Sequence, residues 1–329
     1  MFRWQVSIAV QTQRAADAIR ARQLPNGAIL VDPVSVSPNW LMPYYSNLAS
    51  IGLTVAYKTL RTAAYRDAAQ RWLEWYAAHM NHDGTMYDYT YENGTLTSRN
   101  TYDSTDSYAA TFIEGMERFR QEAGGSAFVR TRYSAIRKAV QAIQLTYQSD
   151  GLCWSRPDYP VKYLMDNVEV YRGLQAAAQI ARVLHQDSDS QQWRQLAAKT
   201  RMAIETLLWY NAGGYYAWAR HQNDALETRL SEWYPDVMAQ LMAIAWLPVS
   251  ARRQTLYQTL KAQFYSLPPS LNTNLDIEKA VWWGMAARTI GDSSAITEIQ
   301  DKLLHVDLRR RQLYPVSLYG HLIRVLNGI

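Results

Sequence analysis

Residues 64–75 read Ala64-Tyr65-Arg66-Asp67-Ala68-Ala69-Gln70-Arg71-Trp72-Leu73-Glu74-Trp75. Ala68, Trp72 and Trp75 fall on one face at helical spacing, with charged residues between them, which predicts an amphipathic helix. A turn follows at Asn81-His82-Asp83-Gly84, then a loop over 81–104 rich in Tyr and Asp, then a more apolar helix over 105–121. Similar turns stand at Gln148-Ser149-Asp150-Gly151 and Asn211-Ala212-Gly213-Gly214. Each leads through aromatic residues to an acid-bearing helix start. Amphipathic stretches are expected over 4–23, 128–147, 191–209, 250–264 and 294–304 as well. Ala- and Met-rich helices are expected over 44–60, 167–185, 235–246, 278–290 and 315–327. Six such units, with a period of about 50 to 65 residues, fill the chain.

Connections alternate in length. Those over 59–62, 121–127, 186–190, 247–250 and 290–293 are short. The opposite set, 24–43, 81–104, 148–166, 210–234, 265–277 and 305–314, is long, with room only for short strands. Consecutive antiparallel helices put every second connection on the same end. The expected fold is therefore all-α: a closed double ring of twelve helices, six inner and six outer, with the long loops on one face. A solenoid has shorter repeats and no such one-sided growth of its loops. The pattern resembles the (α/α)6 toroid of the six-hairpin glycosidases across residues 1–329, read as a single domain. Leu207 to Ala219 also resembles the turn from outer helix to hairpin in that superfamily.

Composition narrows the function. Apolar residues make up 48% and charged residues 19% of 329, so the chain can bury a large core. No window approaches an uninterrupted apolar span of membrane length. A single cysteine, Cys153, excludes a disulfide framework and a cysteine-built zinc site; neither metal nor cofactor is expected. The net charge of +5 arises from 27 Arg and 7 Lys spread without basic runs, so nucleic acid is not an expected partner. The 23 Tyr and 12 Trp against 5 Phe favour surfaces where a flat ring meets a hydrogen-bonding partner, as sugars require. No leader is visible, which fits a cytoplasmic protein or an exported one whose leader has been removed.

Carboxylates gather at the starts of the apolar helices. Asp103 and Asp106 flank one, where a single acid would suffice as a cap. Asp166 and Glu169 have capping-box spacing. Glu232 and Asp236 flank Pro235, and Asp276 and Glu278 precede Trp282-Trp283. Glycoside hydrolysis needs two carboxyls, one protonated and one ionised. The resemblance implies Asp166 as general acid, from its hairpin position, with Glu232/Asp236 or Asp276/Glu278 as partner. It further implies that Asp103 and Asp106 hold the sugar at the cleavage point. Trp40, Tyr44, Tyr45, Trp154, Trp218, Trp233 and Tyr314 are candidate stacking residues.

No glycosidase family's complete catalytic pair is present: Ser37-Pro38-Asn39-Trp40 stands where family 8 enzymes carry their acid. A non-catalytic glycan-binding protein is thus an alternative. Epimerases of this fold use a pair of cleft histidines, for which His82, His221 and His321 are candidates. On either reading, Asp32, Tyr44, Asp103, Asp106, Asp166, Glu232, Asp236, Asp276 and Tyr314 belong on one end. Tyr44 is expected near Tyr314. The funnel is expected to be acidic, suited to neutral or cationic glycans and not to polyuronates.

Overall fold

A computed structural model describes residues 7–329. The first helix, α1 (Ile8–Arg20), starts on a Ser7 side-chain cap; the beginning of the helix expected from residue 4 lies outside the described residues. Inner helices follow outer ones throughout. α2 (Pro43–Leu60) is inner, α3 (Ala63–His79) outer and α4 (Asp106–Glu122) inner. The third outer element is split at Arg132 into α5 (Ser126–Thr131) and α6 (Tyr133–Thr146), which brings the total to thirteen α-helices among the described residues. Inner α7 (Leu164–Val183), outer α8 (Asp187–Ala203) and inner α9 (Met238–Trp246) come next. Outer α10 (Ala251–Phe264), inner α11 (Asn274–Ile290), outer α12 (Ser293–Leu304) and inner α13 (Ser317–Leu326) complete the order.

The inner helices pack in the cycle α2–α4–α7–α9–α11–α13 and back to α2, so the ring closes. They are buried nearly all round, as helices enclosed by a second layer must be. Closure depends on a close backbone approach. A Cβ on Gly52 of α2 would lie 2.5 Å from the Gly320 Cα of α13, and one on Gly320 would lie 2.3 Å from the Leu48 carbonyl oxygen. Trp72, Tyr76 and Phe112 fill the space between α3 and α4, with Tyr76 and Phe112 stacked at 4.2 Å.

Several helices depart from their expected limits. α11 begins four residues earlier than 278, because Thr273 and Asp276 form a reciprocal capping box there. This sets Glu278 inside the helix. Before α9, Trp233–Val237 form a π-helical turn in which Tyr234 is extended.

The strands all lie in the long loops and tie neighbouring loops together. β1 (Asn39–Leu41) pairs with β2 (Tyr89–Glu92) of the next hairpin, and β2 pairs with β3 (Thr95–Ser98). β4 (Lys162–Tyr163) pairs with β7 (Ala219–Arg220), which also pairs with β8 (Leu226–Glu227). β5 (Trp209–Tyr210) and β6 (Tyr215–Tyr216) make a local hairpin.

Candidate active site

The first turns of all six inner helices, with the residues just before them, enclose a cavity of about 230 Å³. α2 contributes Tyr44 and Tyr45, and the approach to α4 contributes Asp103 and Ser104. α7 adds Met165 and Asp166, and the turn before α9 adds Tyr234. Glu278 comes from α11 and Ser317 from α13. An adjoining lobe of about 380 Å³ shares Asp103, Met165, Asp166 and Tyr234 with the first and adds Arg156, Tyr159, Tyr163 and Trp218. Carboxylates read from three separate hairpins thus share one cavity.

Asp166 is half-buried in the wall between the two lobes. Burial, and then the Asp103 carboxylate, push its pKa up to about 7, against the opposing pull of the nearby Ser107 and Ser155 hydroxyls. Two further acids stand behind it. Asp106 has no exposed surface; its Oδ1 accepts the Ser104 hydroxyl at 2.7 Å and the Ser107 N–H at 2.9 Å, while Oδ2 has no partner. Glu169 accepts the Tyr44 hydroxyl at 2.7 Å. Burial, followed by the charge of Asp166, drives both well above the carboxylate range. The capping box that spacing suggested for Asp166 and Glu169 is not formed: the residue before α7, Tyr163, makes no side-chain cap bond, and Glu169 turns to Tyr44 instead.

Glu278 is raised by burial, while the Trp233 indole N–H, donating at 2.8 Å, and Lys279 favour its ionised form. The other acids proposed as partners are differently engaged. Asp236 is fully buried and accepts N–H groups of Ser231 at 2.9 Å and Glu232 at 3.0 Å, besides Arg229 at 3.1 Å. Burial alone would raise it, yet these partners hold it below the usual range. Glu232 is exposed beside Arg229 at 3.5 Å. Asp276 caps its own helix by accepting from Asn272 and Thr273. None of these three lines either lobe.

The aromatic candidates divide in the same way. Tyr44 and Tyr45 line the inner lobe, and Trp218 lines the outer one, stacked on Tyr163 at 6.4 Å. Trp233 backs Glu278. Tyr314 stands half-exposed next to Pro315 of the wall; burial, then the Tyr314 phenol, push Tyr45 up to about 12. Trp40 lies in β1 with the Arg99 guanidinium over its ring at 4.6 Å, and neither it nor Trp154 reaches the cavity.

Sequence reading assigned no site role to Tyr108, Trp282 or Leu48, and named His321 only among the histidines. A signal was available for three of them: Trp282, Leu48 and His321 each stand four residues after a wall residue (Glu278, Tyr44, Ser317) on the same helical face, one turn deeper. His321 is buried at the floor, its pKa pushed down to about 3 by burial and then by Arg324, and its Nδ1 has no partner. His82 and His221 line separate surface depressions, so no histidine pair is assembled in the cavity. Beneath the floor, Glu114 takes Arg172 through two bonds, at 2.5 and 3.1 Å, with Arg324 at 3.6 Å. Both guanidinium groups lie over Trp246, at 4.9 and 5.5 Å.

Among the described residues, no group of His, Cys, Asp and Glu is arranged to hold a metal ion, and no helix is long and apolar enough to cross a membrane. No protein-family profile and no curated protein sequence matches the chain. Solved structures match in shape. A mannosylglycerate hydrolase from Thermus thermophilus, in complex with glucose, is 10% identical at a TM-score of 0.70, covering 96% of this chain and 99% of that one. A D-mannose isomerase is 10% identical at 0.67, covering 100% of both chains. An alpha-amylase from Clostridium perfringens is 9% identical at 0.67, covering 97% of both. These neighbours share the six-hairpin, glycosidase-like toroid, which is the fold of this chain.

Proposed function

We propose that this protein is a glycoside hydrolase acting on an oligo- or polysaccharide, with Asp166 as general acid and Glu278 as its partner. The observation that carries the reading is the Asp166 carboxyl, held up at about 7 in the wall of a cavity that Glu278 also lines. One protonated and one ionised carboxyl in one cleft is what this chemistry requires. Asp166 gives its proton to the glycosidic oxygen, which leaves with the bonding electron pair. A water oxygen bonds to the anomeric carbon, its proton passes to Glu278, and exchange with solvent restores both groups. The inner-lobe tyrosines supply hydroxyls and ring faces for the sugar.

Hydrolysis is favoured over epimerisation because the cavity holds a single histidine, His321, whose charged form is strongly disfavoured. The test is the release of reducing ends from a broad glycan panel. Asp166→Asn and Glu278→Gln should each lower it by a factor of about 10² to 10⁴ while retaining glycan binding. Full activity in both variants rejects the assignment. Binding of a glycan by the parent protein with no turnover across the panel rejects hydrolysis in favour of a non-catalytic binder.

A further inference from the structure

We infer that the inner lobe is a blind pocket for one non-reducing terminal sugar ring, neutral in charge, released as a monosaccharide; this rests on the hydrolytic reading above.

The walls argue first. All six inner helices contribute to the inner lobe, so it is ringed on every side. Its floor is Leu48, Tyr108, Trp282, Leu318 and His321, none more than 5% exposed. Below that floor Glu114, Arg172 and Arg324, from three different inner helices, are joined by ion pairs. The adjoining lobe lies on one side, over α7, between the approach to α4 and the turn before α9. A polysaccharide crossing an open groove needs several sugar sites on both sides of the cleaved bond. Here the inner side is a cavity of only about 230 Å³. That suits one pyranose ring with its hydroxyls.

Polarity follows from which lobe each carboxyl lines. Asp166 belongs to both lobes and so stands at their junction, where the linkage oxygen must lie. Glu278 belongs to the inner lobe alone. The attacked anomeric carbon is therefore that of the ring in the inner lobe, and the leaving group rests in the outer lobe against Tyr163 and Trp218. The inner ring is the non-reducing end.

Charge selects the ring. Besides the proton donor Asp166, the inner lobe carries the carboxyl groups of Asp103 and Glu278 with no lysine or arginine in its lining, so a uronate would be repelled. Leu48, Leu318 and Trp282 offer apolar surface to ring C–H groups.

The experiment uses oligosaccharides cleaved or bound by the parent protein, in three forms: native, reduced at the reducing end, and methylated on the non-reducing terminal ring. Early products are separated by chromatography, and binding to Asp166→Asn is measured by calorimetry, with free neutral monosaccharides and free uronic acids as further ligands. The expected first product is monosaccharide alone. Reduction should change little, and terminal methylation should weaken turnover and binding by a factor of about 100 or more. Uronic acids should bind at least about tenfold more weakly than the matching neutral sugars. Early oligosaccharides of mixed length, or methylated chains handled like native ones, overturn the pocket inference and leave hydrolysis standing. If the parent binds without cleaving, the hydrolytic reading fails. The binding arm still decides the pocket, since equal affinity for native and end-methylated chains overturns it.

Discussion

The Tyr44 phenol, in the first turn of α2, donates a 2.7 Å hydrogen bond to Oε1 of Glu169, one turn deeper in α7 than Asp166. The bond links two inner helices that flank α4, behind the wall where Asp166 sits. Tyr44→Phe removes it and leaves a buried carboxyl without that donor. The expected cost is about 1–3 kcal/mol in urea-induced unfolding. Glu169 should rise further, because the lost bond favoured its ionised form; a carboxyl-specific infrared titration reads this directly.

The pH–rate profile should be bell-shaped, with an alkaline limb near pH 7 set by Asp166 in the free enzyme. Asp103 raises Asp166, so Asp103→Asn should move that limb of kcat/KM to lower pH. The Trp233 indole lowers Glu278, so Trp233→Phe should move the acid limb to higher pH. Limbs that stay in place in both variants would contradict the assignment of the two groups.

Asp166 also bears on stability. Its folded pKa, about 7, lies above the ordinary carboxylate value, so the native state binds the proton more tightly than the unfolded chain. The resulting destabilisation is absent below about pH 4, grows as pH rises, and is complete above about pH 7. Asp166→Asn should therefore lower turnover by a factor of about 10² to 10⁴ and yet raise stability at pH 8 by about 1–3 kcal/mol, with the gain shrinking as pH falls towards 4. Thermal unfolding of both proteins across that range provides the check.

Gly320→Ala should be among the most damaging single substitutions. Its Cβ would meet the Leu48 carbonyl at 2.3 Å and Ala49 Cα at 3.1 Å, both on the facing backbone of α2, which cannot swing aside like a side chain. A loss of about 3 kcal/mol or more is expected in denaturant unfolding. An exposed glycine with open space around it, Gly94 in the β2–β3 turn, provides a contrast in crowding, though its φ of +81° still disfavours alanine.

Much of this architecture was legible because helical periodicity and loop length are local properties. Ala68, Trp72 and Trp75 mark their buried face in the residues themselves. Asp166 and Glu278 were legible as acids at helix starts, and so were Asp236 and Asp276. What separates the two groups is which partner each side chain finds. Asp236 pairs with Arg229, seven residues back, and Asp276 accepts N–H groups of its own cap. Glu169 was hidden behind a spacing that fits capping equally well. Its true partner, Tyr44, is 125 residues distant.

The Gly52–Gly320 contact also has a consequence for the order in which the molecule can be completed. Each of the first five hairpins packs against its predecessor in the ring. The seam cannot form until α13 arrives, and α13 brings His321 and Leu318 with it. Without α13 the apolar flanks of α2 and α11 stand uncovered, and the pocket lacks two of its five floor residues. One helix thus does two things at once: it seals the seam of the ring against α2 and completes the floor of the pocket.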